Sequence, residues 1–157
     1  MHPNAQKVQA TLTSLGHDTE VVEFSESTRT SQEAAAAIGT SLAQIAKSMI
    51  FAMGDEGVMV VTSGANRVST DKVGALLGGE IGRADADGVR KLTGFPIGGV
   101  PPVAHLEGMT VLIDEDLTKF DEVWAAAGTP NAVFRTTPAA LAEMTGGRIA
   151  DIKEEPK

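Results

Sequence analysis

No cysteine occurs among the 157 residues, which excludes disulfides, thiolate chemistry and cysteine-bound zinc. No apolar run approaches the roughly 18–20 residues of a membrane span. The first residues, Met1-His2-Pro3-Asn4-Ala5-Gln6-Lys7, lack the apolar core of a signal peptide, so a cytoplasmic protein is the simplest expectation. Only three histidines are present, His2, His17 and His105, and no His-x-x-x-His, so a metal-ligand spacing is missing. Gly98-Gly99 is not followed by the Lys-Ser/Thr of a phosphate-cradling P-loop, and that stretch is too rich in proline for a dinucleotide fingerprint. Ser63-Gly64-Ala65 has no partner pattern for a serine nucleophile. Neither an internal repeat nor a linker interrupts the chain.

What is present is an ordinary globular balance, 42% apolar and 22% charged, in a length that suits one domain with a real core, residues 1–157. The net charge of −8 argues against a protein that coats nucleic acid through its phosphates. The charge is uneven. Between Gly57 and Leu106, Arg67, Lys72, Arg83, Arg90 and Lys91 face four acids, leaving −9 for the remainder. A local contact with one end of a nucleic acid stays compatible with the composition.

Apolar spacing predicts a helix over 3–15 with Val8, Leu12 and Leu15 on one face, then a short strand over 20–24. Thr30-Ser31-Gln32-Glu33 has the spacing of a capping box and opens a helix closed near Gly39. A second helical start at Thr40 or Ser41 is expected to end at Lys47. Strands over 48–53 and 58–62 flank the hairpin turn Gly54-Asp55-Glu56-Gly57. Helices are expected from Ser69–Asp71 to Gly78, from Asp85 or Asp87 to Thr93, over 120–127, and from Pro138 to Met144. Strands are expected over 80–83, 110–113, 132–135 and 148–152, with a fraying tail from Lys153 to Lys157. The mixed order gives an α+β fold, one mixed β-sheet surrounded by helices.

The stretch Gly94-Phe95-Pro96-Ile97-Gly98-Gly99-Val100-Pro101-Pro102-Val103-Ala104-His105 holds three glycines, three prolines and one of the three histidines. Such a loop is stiff where proline fixes φ and bare where glycine stands. It reads either as a surface turn or as a loop whose N–H groups hold an anion, a carbonyl oxygen or a ribose. Lys47 reads either as a capping lysine at a helix C-terminus or as a cleft cation for a phosphate, a carbonyl or a ribose hydroxyl. His105 can act as a general base or orient a water, and equally can be a polar residue at a strand start. Asp114-Glu115-Asp116 can bind Mg²⁺ or form a solvated turn before the next helix. Met49, Phe51 and Ile97 are candidates for a pocket wall or ordinary core.

Ser31-Gln32-Glu33-Ala34-Ala35 to Gly39, Gln44-Ile45-Ala46-Lys47-Ser48-Met49-Ile50-Phe51, Gly98-Gly99-Val100-Pro101-Pro102 with Val103-Ala104-His105, and Gly128-Thr129-Pro130-Asn131-Ala132-Val133-Phe134 together resemble the YbaK/EbsC family, the prolyl-tRNA-synthetase-associated editing domain. The likeness runs over roughly residues 5–150. It implies a free-standing aminoacyl-tRNA deacylase that removes wrongly attached amino acids, commonly from tRNA-Pro, on a mixed sheet surrounded by helices. The family's lysine matches Lys47 and its Gly-x-x-x-Pro loop matches Gly98 to Pro102. Some relatives carry a histidine where Asn131 lies here, and many have Gly-His where this chain has Ala104-His105. On this resemblance the N–H groups of Gly98, Gly99 and Val100 bind the ester carbonyl, while Pro101 and Pro102 stiffen the loop. Lys47 holds the terminal ribose or phosphate, and the vicinal hydroxyl of the tRNA helps to activate water. His105, Met49, Phe51 and Asn131 are then substrate-side residues. Neither a cofactor nor a metal is called for. The expected partner is the acceptor end of aminoacyl-tRNA, with an aminoacyl-tRNA synthetase as a candidate docking partner and neither membrane nor DNA. The alternative is a non-catalytic module binding a tRNA end, a nucleotide or a protein in the same cleft. A metal-dependent hydrolase built on Asp114, Glu115 and Asp116 is a third reading.

Overall fold

The computed structural model describes residues 1–106 and 108–155; Pro156 and Lys157, the end of the expected tail, lie outside them. Helix α1 (Pro3–Ser14) begins with proline in its first turn, where a missing N–H costs nothing. It buries Ala5, Val8 and Leu12, but Leu15, expected on that face, caps the helix and is exposed. Strand β1 (Val21–Glu23) follows. Helix α2 (Ser31–Ile38) starts with the expected capping box: the Thr30 hydroxyl accepts from the Glu33 N–H and the Glu33 carboxylate from the Thr30 N–H.

The helix expected to end at Lys47 does not form. A single 3₁₀ turn, Leu42–Gln44, is followed by strand β2 (Ile45–Met53). The Gln44 amide oxygen accepts from the Thr40 and Ser41 hydroxyls, and its NH₂ donates to the Glu122 carbonyl. These bonds end the turn and send the chain into the sheet. Lys47 therefore sits in a strand, opposite Thr62, and the helix-dipole reading of it falls away.

Beyond β2 come β3 (Glu56–Ser63), α3 (Thr70–Leu77), β4 (Gly82–Arg83), α4 (Ala86–Thr93) and β5 (Thr110–Asp114). The helix expected over 120–127 is a strand, β6 (Val123–Ala126). Its alanines suggest helix by propensity, but Val123 and Ala125 alternate with Trp124 and Ala126 in burial, and both edges are paired. Tertiary pairing overrides a weak local preference here. The chain closes with β7 (Ala132–Thr136), α5 (Pro138–Thr145) and β8 (Arg148–Ala150).

The strands form one mixed sheet in the order β1-β7-β6-β2-β3-β5-β8, with β4 also paired to β2. The β2–β3 hairpin is its centre. Strand β3 is buried on both faces: Met59 and Val61 enter the larger core with α1, α4 and α5, whereas Val58 and Val60 enter the smaller core under α3. Such a strand reads as the continuous apolar run seen in Val58-Met59-Val60-Val61. Helix α2 covers the latter face at its other end, packing Ala34 and Ala35 on Ile45 and Trp124.

Candidate active site

Strand β2 has one complete neighbour and one interrupted one. Along β3 it pairs from Ala46 to Met53. On its other side β6 reaches only Ile45 and Ala46, and β4 only Phe51 and Ala52. The sheet is thus split beside residues 47–50. The Ile45 carbonyl accepts from the Gly64 N–H, so on this antiparallel ladder Ile45, Lys47, Met49 and Phe51 turn their backbone polar groups toward β3. Ala46 and Ser48 turn theirs toward the split. Strand β6 takes up Ala46; the backbone of Ser48 faces the opening.

A cavity of about 290 Å³ fills this split, near the lower end of small-ligand sites. Its floor and walls are mainly apolar, including Ala46, Met49, Ile50, Phe51, Val100 and Ala125, with Thr28, Thr30, Ser31 and Ser48 among them. Among the described residues, its charged lining consists of Lys47, Arg29 and Arg83, with no carboxylate. None of these three makes an ion pair among the described residues. In a chain of net charge −8, an acid-free opening with three unpaired cations suits a polyanion.

The Gly/Pro loop forms one wall. Ile97, Gly98 and Val100 line the cavity. Gly98 has φ +90°, and a Cβ there would lie 2.7 Å from Cγ of Arg29, so glycine is required both by the backbone and by the arginine stem lying across it. The loop's donors are unequal. The Gly99 N–H bonds the Pro96 carbonyl at 3.2 Å, whereas no bond occupies the N–H of Gly98 or Val100 among the described residues. Gly99 serves packing instead: a Cβ would stand 2.9 Å from the Thr129 carbonyl carbon, and the Gly99 carbonyl accepts from the Gly128 N–H.

Of the residues expected from sequence, Lys47, Met49, Phe51, Gly98 and Val100 converge on the cavity, and Gly99, Pro101, Pro102, His105 and Asn131 are not among its lining. The Asn131 side chain donates to the Phe24 carbonyl and accepts from the Thr129 hydroxyl, pinning the 128–131 turn to the chain after β1. His105 lies behind the loop, its Nε2 2.6 Å from the Pro101 carbonyl. A carbonyl only accepts, so Nε2 carries the proton. Burial pushes the imidazole pKa down, the Pro101 carbonyl works against that, and the Lys7 charge adds to the lowering. His105 is held neutral as a strut. Ala104, before it, has φ +70°, a conformation glycine adopts freely and alanine does not.

The acidic run after β5 sits elsewhere. Asp114 is fully buried and accepts from the Ser63 N–H, the Thr62 hydroxyl, the Asn66 amide and the Asp116 N–H. Asp116 accepts from Lys153 at 2.7 Å and pairs with Lys119 at 3.0 Å; Lys153, Asn66 and Lys119 hold its carboxyl well below the usual carboxylate range. No group of three metal-ligating side chains is placed to hold an ion among the described residues.

Sequence reasoning missed Arg29, Ser48 and Trp124 and met Arg83 only as one of five basic residues between Gly57 and Leu106; all four are in the lining. Arg29 stands in a stretch that reads only as polar loop, and Trp124 in one that reads as helix. The available signals were that Ser48 adjoins Lys47 and that Trp124 is the single tryptophan.

Residues 25–144 match the model of a family described as the aminoacyl-tRNA editing domain. The chain is similar, at 45% identity and a TM-score of 0.95 over 99% of both chains, to a crystal structure described as "a putative trans-editing enzyme for prolyl tRNA synthetase". It is 30% identical over 145 residues, 92% of each chain, to the uncharacterized protein YwhH of Bacillus subtilis (strain 168). It is also 35% identical over 94 residues to the proline–tRNA ligase of Limosilactobacillus fermentum, spanning 56% of this chain but 16% of the ligase. No helix among the described residues is long and apolar enough to cross a membrane.

Proposed function

The chain belongs to the aminoacyl-tRNA editing domain family, and from that premise we propose that it is a trans-acting deacylase, hydrolysing a small non-cognate amino acid from mischarged tRNA, with tRNA-Pro as the first candidate. The observation that carries this reading is the convergence of Lys47, Gly98 and Val100 on one cavity whose lining, among the described residues, holds no carboxylate. The terminal adenosine enters the split between β6 and β4, with Lys47 on the ribose or its phosphate and Arg29 and Arg83 on the phosphates that follow. The ester carbonyl oxygen lies against the Gly98 and Val100 N–H groups, which stabilise the charge that develops there. Water adds to the carbonyl carbon, assisted by the vicinal ribose hydroxyl. The bond to the esterified ribose oxygen breaks, that oxygen takes the proton, and free amino acid leaves. His105 does not touch the reacting atoms; with Asn131 it positions the loop. Neither a metal nor a protein nucleophile is part of this scheme.

The cavity suits only the acceptor end of a tRNA, which is compatible with an acidic protein. The likeness to a segment of a proline–tRNA ligase makes prolyl-tRNA synthetase a candidate partner. The test is deacylation of tRNA-Pro charged with alanine, cysteine, serine, threonine or proline, with EDTA present. Release of one non-cognate amino acid with Pro-tRNA spared is expected. Binding of these tRNAs without turnover would replace this reading with that of a binding module.

A further inference from the structure

Two buried side-chain polar atoms lack a hydrogen-bond partner among the described residues, Oγ of Ser48 and Nε1 of Trp124. Both belong to residues lining the cavity. Buried donors without partners are costly, at about 1–3 kcal/mol each, and native proteins leave few of them. Their coincidence at one opening points to groups kept ready for a ligand.

Their placement assigns them different parts of that ligand. On β2, Ser48 alternates with Lys47, so its side chain shares a face with Ala46 and Ile50. Those two residues and Val100 belong to one core cluster, which puts Ser48 on the side of the Gly/Pro loop. Trp124 is in parallel register with Ile45 and packs with it and with α2 on the opposite face, the face to which Lys47 also belongs. The backbone of Ser48 faces the split between them.

We propose that Ser48 and Trp124 are binding residues that grip the aminoacylated terminal nucleoside from the two faces of the split. The Ser48 hydroxyl bonds the aminoacyl ester beside the loop, and the Trp124 indole N–H bonds an acceptor of the nucleoside beside Lys47. The assignment of the ligand rests on the deacylase reading; the pairing of two donors across the split does not. An indole also offers a face on which a base stacks.

The single tryptophan makes the site self-reporting. The probes are a non-hydrolysable, amide-linked aminoacyl-adenosine and adenosine alone, titrated against the whole protein by tryptophan fluorescence and by calorimetry. Both probes are expected to shift Trp124 emission. Ser48→Ala is expected to weaken the aminoacyl-adenosine about 10-fold and leave adenosine unchanged. Trp124→Phe, which keeps an aromatic ring and loses the N–H, is expected to weaken both about 10-fold by calorimetry. Wild-type affinities in both variants, at wild-type melting temperatures, would overturn the proposal, as would a wild-type protein that binds neither probe. If Trp124→Phe does not fold, unchanged Trp124 emission in the wild type on saturation with either probe overturns the indole's role. The two readings fail separately. A wild-type protein that binds both probes but releases no amino acid from any tRNA refutes the deacylase and leaves the donors assigned. One that deacylates, with variants unchanged in affinity, refutes the donors alone.

Discussion

Two polar clusters flank the central hairpin of this fold, and they are opposites. At the end of β5, Asp114 and Asp116 are surrounded by donors: Ser63, Thr62, Asn66, Lys153 and Lys119 satisfy their oxygens. At the split in the sheet, among the described residues, Lys47, Arg29 and Arg83 have no carboxylate beside them in the lining, and Ser48 and Trp124 carry polar atoms with no partner. In sequence the acidic run is the more conspicuous of the two. In the folded protein it is complete, because its hydrogen-bonding capacity is filled from within the chain. The split retains capacity, and the proposed substrate is what would fill it. Charge density does not mark a site; unmatched charge and unmatched donors do.

The largest effect separating the two clusters is expected at Asp114. Asp114→Ala strips partners from the buried Ser63 N–H and from Asn66, and should destabilise folding by about 3 kcal/mol in urea unfolding. Deacylation by the fraction that remains folded should be little changed. A large loss of activity at constant folded fraction would break the division.

How much of this contrast the sequence disclosed depends on the kind of signal. The capping box at Thr30–Glu33, the β2–β3 hairpin and the apolar face of α1 are local patterns, and each is where its spacing placed it apart from Leu15, which caps α1 and is exposed. Lys47 and the Gly98 loop were legible through the family resemblance. The split was not, because a missing strand partner is a property of β4 and β6 arriving from 30 and 80 residues further on. The Ala125–Ala126 stretch shows the same limit, reading as helix until its two partner strands are in view. Arg29 becomes a mouth residue only when Gly98 comes to lie beneath it.

The next effect in size concerns the cations. Arg29→Ala with Arg83→Ala should weaken tRNA binding about 10-fold at moderate salt and flatten the slope of log affinity against log salt by about 1.4, the loss of two single-strand phosphate contacts. An unchanged slope would remove both arginines from the phosphate path. A smaller gain is expected at the loop's exit. Ala104→Gly relieves a left-handed backbone at φ +70° and should stabilise the fold by about 0.5 kcal/mol, the relief of strain offset by the greater freedom of glycine when unfolded.

The smallest effect is a pH dependence. His105 has a folded pKa below its unfolded value near 6.5. The unfolded chain therefore takes up a proton first as pH falls, and His105 costs stability below about pH 6.5 while costing none above it. Replacing it with glutamine, His105→Gln, should flatten the melting temperature between pH 7 and pH 5 relative to the wild type. A steeper dependence would contradict the neutral strut.

The most direct test of the contrast is single-turnover deacylation of mischarged tRNA-Pro by the wild type, Lys47→Ala and Asp116→Asn at equal folded fraction. The account predicts that Lys47→Ala loses about 100-fold or more in rate, as expected for removing a charged group that holds the reacting end, and that Asp116→Asn keeps the wild-type rate. Full activity in Lys47→Ala together with loss in Asp116→Asn would move the chemistry to the acidic cluster and contradict the account.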